Sequence, residues 1–139
     1  MAQQLHLRII TPQRIVREEN IDSVTLTTAD GEITVLPRHM NLFSLLVEGV
    51  LTVRKDKEEE HLAIGGGYLQ TDGENLNILV SRAYGQDAVD QELTQKASDR
   101  AKKILETSKD GQEIHGATLL LRRSTVDLKL LKRRKKTIQ

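Results

Sequence analysis

Near residue 86 the chain changes its hydrophobic period, and that change limits the folds open to it more than any other feature. Before it, short apolar runs alternate with polar residues and are broken by turn residues every 6–12 positions. LHLRII (5–10), a patterned stretch at 14–17, SVTLTTA (23–29), EITVL (32–36), LFSLLV (42–47), VLTVR (50–54), HLAI (61–64), YLQ (68–70) and LNILVS (76–81) all read as strands. Asp30-Gly31 is a hairpin signal, Pro12 and Asp72-Gly73 mark turns, and KDKEEE (55–60) reads as a charged turn with Glu58-Glu59-Glu60 solvated. Many short strands with frequent turns predict a sandwich or flattened barrel.

After Asp87 the turns cease. Val89, Leu93, Ala97, Ala101 and Ile104 or Leu105 recur every three or four residues, which predicts a helix capped by Asp87 and ended by Ser108-Lys109-Asp110-Gly111. A second helix is expected over about 116–135, with Ala117, Leu121, Ser124, Leu128 and Leu131 as its seam. The short connection implies an antiparallel pair, and the alanines of the first helix allow close approach. Leu119, Val126 and Leu130 fall on the opposite side of the second helix at 100° per residue. Each leucine left in water there forgoes roughly 1.5–3 kcal/mol of burial. That suggests a helix covered by the sandwich in one state and by a partner in another. The fold class is thus β + α: an N-terminal flattened β-sandwich or barrel over 1–86 and a C-terminal antiparallel helical hairpin over 87–139.

Charge is divided the same way. From Gly116 onward eight basic residues face one acid, Asp127, giving +7; the whole chain is +1, so residues 1–115 carry −6. A basic end of this kind fits an acidic partner. KRRKK (132–136) could also bind nucleic acid, so a basic-tailed nucleic-acid-binding module is the alternative reading. No aromatic-interleaved or groove-reading motif accompanies the run.

Catalytic patterns are missing. The chain has no cysteine, and His6, His39, His61 and His115 share no ligand spacing. Ser44, Ser81 and Ser124 lack a nucleophile context. Gly65-Gly66-Gly67 is followed by no Gly-Lys-Ser/Thr, so it reads as a place where backbones approach closely. The start, MAQQLHLRII, predicts no cleaved leader, and no stretch is apolar enough to span a membrane. An interaction protein, not an enzyme, is expected.

Proline and charge interrupt the best apolar stretch, GEITVLPRHMNLFSLL (31–46). Together with TPQRIV (11–16), AIGGGYLQ (63–70) and LNILVSRA (76–83), and in that order along the whole chain, it resembles the epsilon subunits of F-type ATP synthases. Gly31, Glu32, Leu36, Pro37, His39 and Leu42 fit the family's pattern; Thr34, Arg38 and Asn41 replace two glycines and a proline, which suggests a stiffer or reshaped loop. The resemblance implies a non-catalytic rotor subunit of the central stalk. Its expected partners are the gamma subunit, the c-ring and, through the hairpin, the alpha/beta catalytic hexamer, with no nucleic acid and no direct insertion into lipid.

It further implies a c-ring contact at Glu32 and His39; Arg38 is this sequence's own addition and is expected to join it by pairing with acidic or backbone groups of a ring loop. A catalytic-head contact is implied at Arg122, Arg123, Lys129, Lys132, Arg133, Arg134, Leu119, Val126 and Leu130. The hairpin in this family can extend and block hydrolysis. Some members bind ATP at a motif (Ile/Leu)-Asp-x-x-Arg-Ala. Here Val89 and Asp90 begin it, but Leu93 and Thr94 replace the arginine and alanine, leaving Asp90 as a remnant and Arg100 a poor substitute. No cofactor is expected. The implied location is peripheral, on the cytoplasmic face of a bacterial inner membrane, ahead of a plastid thylakoid.

Overall fold

The computed structural model describes residues 3–38, 41–133 and 136–137. Ten strands come first: β1 Leu5–Ile10, β2 Ile15–Ile21, β3 Ser23–Thr28, β4 Gly31–Val35, β5 Leu42–Leu46, β6 Gly49–Lys55, β7 Glu58–Ile64, β8 Gly67–Thr71, β9 Asn75–Val80 and β10 Ala83–Tyr84. A short 3-10 turn, Gln86–Ala88, leads to helices α1 Gln91–Thr107 and α2 Gly111–Lys132, and a two-residue strand β11 follows at Lys136–Thr137.

Period-two alternation builds the sheet. On β1, Leu5, Leu7 and Ile9 are fully buried while His6 and Arg8 face outward. The hydrogen-bonded path runs β10-β7-β6-β3-β5-β8-β9-β1-β2, with β4 on β3 and β11 on β7. Arg17 of β2 reaches Glu60 of β7 at 2.6 Å. This ties one end of the path to the strand beside the other end, so the sheet almost closes. Leucine, isoleucine and valine fill the interior, and burial at roughly 25 cal/mol per Å² is the main source of its stability.

The glycine run does what its sequence suggests. A Cβ on Gly67 would lie 2.8 Å from the Cα of Val80 and overlap the Leu79 carbonyl oxygen, because β8 and β9 meet there backbone to backbone. The acidic run does not. Glu58, Glu59 and Glu60 belong to β7; the turn before them is tight, with Asp56 at φ 57° and its N–H donating to Asp22 Oδ2 at 2.8 Å. Glu59 accepts from Arg54 Nε at 3.0 Å and Glu60 takes Arg17, so the acids serve as cross-strand partners.

The helix boundaries also differ from the sequence expectation. Asp90, not Asp87, caps α1, its carboxylate accepting from Leu93 N–H at 2.9 Å, while Asp87 lies in the preceding 3-10 turn. Asp110 caps α2 through Gln112 N–H at 2.9 Å, so that helix starts at Gly111 and ends at Lys132. Ser98, Ala101, Ala117 and Ser124 are buried, and small side chains let α1 and α2 pack closely. Leu93 is 64% exposed. α2 rests on β6 and β7, where Thr52 and His61 are buried and joined, Oγ1 to Nδ1, at 2.9 Å. Among the described residues no helix is long and apolar enough to cross a membrane.

Candidate docking surfaces

The loop after β4 is held against the β8–β9 turn. Arg38 N–H donates to the Gly73 carbonyl at 2.8 Å, and Arg38 sits at φ 62°, the left-handed region that favours glycine. The arginine therefore sits in a glycine-like backbone conformation, and the loop is strained there. Thr34 stays in its strand and meets Thr25 hydroxyl to hydroxyl at 2.8 Å. Below the loop is a cleft of about 330 Å³ lined by Asn41, Gln70, Asp72, Asn75 and Asn77 among others. Asp72 accepts from the N–H groups of Asn75 and Glu74 at 2.7 and 2.9 Å, and these hold its carboxyl below the ordinary range.

Glu32 and Arg38 are both exposed, but β4 separates them. Glu32 stands beside the Asp30-Gly31 turn, opposite Thr27, whereas Arg38 follows the far end of the strand. Five extended residues span roughly 17 Å. The structure does not bring these two expected ring contacts together, and His39 lies outside the described residues.

Between those ends β5 carries an apolar ladder on its outer side. Phe43 is 62% exposed and Leu45 61%, and exposed Val47 continues the line. On β8, Tyr68 lies opposite Leu45, and its ring centre is 5.1 Å from that of Phe43. LFSLLV reads as a strand, but alternation within it does not say what covers its outer side. Its signal was plain: an apolar run on both faces needs two coverings, and the sandwich supplies one.

On the hairpin, Arg122, Arg123, Lys129 and Lys132 are exposed, Arg133 is half-buried, and Arg134 lies outside the described residues. Leu119 is 48% exposed, Val126 is half-buried beside a groove with Val47 and Glu48, and Leu130 is fully buried. These three expected docking residues do not form one open face here, because the last turn of α2 directs Leu130 inward.

At the foot of the hairpin lies a cleft of about 450 Å³ among Tyr84, Val89, Asp90, Thr94, Arg123 and Asp127. Tyr84 donates its hydroxyl to Asp127, and Arg123 stands 6.0 Å from the ring centre. Burial, then the bond to Asp127, raises the Tyr84 pKa. The cleft thus offers two carboxylates against one guanidinium, and Asp90 is committed to capping α1. Arg100 is on α1 and does not line it. That is a poor setting for a polyphosphate. Among the described residues no three His, Asp or Glu side chains are grouped to hold a metal ion.

A family model described as "ATP synthase, Delta/Epsilon chain, beta-sandwich domain" matches residues 4–86. The ATP synthase epsilon chain of Geotalea uraniireducens is 35% identical over 105 residues, 76% of each chain. That of Moorella thermoacetica is 34% identical over 126 residues, which cover 90% of this chain and 94% of the relative. Among solved structures, a chain of the Euglena gracilis mitochondrial ATP synthase superposes with a TM-score of 0.71 at 20% identity, over 93% of this chain and 78% of that one. A chain of the Tetrahymena thermophila mitochondrial ATP synthase central stalk and c-ring superposes at 0.62 and 14% identity, over 94% and 98%.

Proposed function

This chain belongs to the ATP synthase delta/epsilon family, and from that premise we propose that it is a rotor subunit of the central stalk of an F-type ATP synthase. It performs no bond chemistry. It links a proton- or sodium-driven c-ring to the catalytic head from the cytoplasmic face of a bacterial inner membrane, and its hairpin restrains hydrolysis when it leaves the sandwich. The observation that carries the docking part is the exposed ladder Phe43–Leu45–Val47 with Tyr68 beside it. Aromatic and aliphatic side chains grouped on a strand face are suited to a buried interface centre, and we assign that face to the gamma subunit. Ring contact falls at one end of β4, and separate Glu32→Lys and Arg38→Glu variants, assayed for ring association, tell which.

The hairpin's basic residues and Leu119 are assigned to the catalytic hexamer, with Val126 and Leu130 joining once α2 is released. Rim charges mainly steer and are screened by salt, so the leucines are the main source of hold. Shifting a population from 1:99 to 99:1 takes about 5.5 kcal/mol, within reach of two or three buried leucines at about 1.5–3 kcal/mol each. The carboxylate-rich foot of the hairpin argues against gating by nucleotide. No observation favours nucleic acid: the basic run at 132–136 leads into a strand paired along the acidic start of β7.

The test is ATP hydrolysis by the cognate catalytic complex, with the full chain or a chain ending at Gln86. Inhibition by the full chain, with equal binding but no inhibition by the short one, supports the reading. Binding by both with inhibition by neither would leave a coupling connector and remove the brake.

A further inference from the structure

The outer edge of β7 has two occupants. β10 takes one end, with Ala83 opposite Ile64 and Tyr84 opposite Ala63. β11 takes the other, antiparallel, with Lys136 opposite Glu59 and Thr137 opposite Glu58. The register sets the end of a basic run, KRRKK at 132–136, against the acidic start of β7, EEE at 58–60. An edge left bare is a template for other chains.

Two further contacts fasten the same corner. The Gln86 carboxamide, in the turn joining sandwich to hairpin, donates to the Leu130 carbonyl at 2.7 Å and to the Arg133 carbonyl. Carbonyls in the last turn of a helix have no partner within it, so Gln86 ties down the end of α2. Leu130 in that turn is fully buried.

We propose that the C-terminal segment is a clasp: it adds a strand to β7 and so holds the hairpin on the sandwich. Only residues 133–135 separate α2 from β11. The four steps from Lys132 to Lys136 reach at most about 14 Å, so α2 cannot swing farther than that without stripping β11 from its edge. Release is therefore one event that frees a strand edge and a basic peptide together.

The clasp concerns the isolated chain, and its test is independent of the rotor reading. Hydrogen exchange of α2 amides is compared between the full chain and one ending at residue 133, with β1 and β9 as internal references. Expected is at least about tenfold faster exchange in α2, with both references unchanged. A disulfide test keeps the proposal decidable should the short chain unfold. The chain has no cysteine, so Glu58→Cys with Thr137→Cys in the full chain reports β11 pairing alone. The disulfide is expected to form under mild oxidation and to slow α2 exchange. Unchanged α2 exchange on shortening, or failure of that disulfide to form, overturns the clasp.

Discussion

The Tyr84 hydroxyl donates to the Asp127 carboxylate and so joins the last strand before the linker to the second turn from the end of α2. Hydrogen bonds to a charged group contribute about 1.5–3 kcal/mol. Tyr84→Phe keeps the ring under Arg123 but leaves Asp127 without its donor. Hairpin docking is expected to weaken by about 1–2 kcal/mol, read as roughly 5- to 30-fold faster exchange of α2 amides. The β1 and β9 amides should not change.

Arg38 allows strain and charge to be tested apart. A non-glycine residue in the left-handed region costs roughly 1–2 kcal/mol, and glycine's greater unfolded freedom offsets about 0.5–1 kcal/mol of the relief. Arg38→Gly should therefore raise stability by about 0.5–1 kcal/mol in denaturant unfolding. Arg38→Ala keeps the backbone cost and should leave stability nearly unchanged. Loss of ring association in the alanine variant would then report the guanidinium itself.

The β5 ladder should matter to partners more than to folding. Leu45→Ser is expected to change stability by no more than about 0.5 kcal/mol. Phe43→Ser also loses the ring contact with Tyr68, costing about 0.5–1.5 kcal/mol. Together the two should weaken binding to the gamma subunit at least about tenfold in a titration. Undiminished binding would move the gamma contact to another face.

His6 supplies a pH signature. Its ring meets Asn20 Oδ1 and Glu18 Oε2, each at 3.0 Å, and these bonds, Asn20's first, raise its pKa above the ordinary value; the bond to His6 in turn lowers Glu18. A raised folded pKa means that protonated His6 stabilises the β1–β2 pair fully below its unfolded pKa. That contribution disappears as pH rises through the folded pKa. An NMR titration should place the His6 midpoint above about 6.5, and Asn20→Ala should lower it more than Glu18→Gln. A midpoint at or below the unfolded value would contradict the assignment.

The two-part fold was readable because period two and period 3.6 leave different marks, and residue 86 separates them cleanly. Strands such as 5–10 and 76–81 were placed from alternation alone. Other features depend on distant partners and left no local trace. Three successive glutamates look like a solvated turn until Arg54 and Arg17 come across to meet them. Asp87 and Asp90 are equally good caps by residue type; the intervening 3-10 turn decides between them. Leu93 and Leu130 look alike in a helical pattern, yet one is open to water and the other sealed, because the angle at which α2 meets β6 and β7 is a property of the assembled sheet. The expected ring contacts are named around a motif, and a motif does not show that β4 separates Glu32 from Arg38.

The first strand of this protein pairs in parallel with its ninth, His6 opposite Asn75 and Ile10 opposite Leu79. While the chain is being made, β1 can find β2 at once but must wait for roughly 70 further residues before its other edge is satisfied, and such non-local pairing slows folding. Synthesis at about 5–20 residues per second makes that a wait of several seconds. Throughout it the nascent chain carries an open edge whose Leu5, Leu7 and Ile9 are destined for the core. The helices follow the sandwich in the chain, so the hairpin is made only after the sandwich can already close.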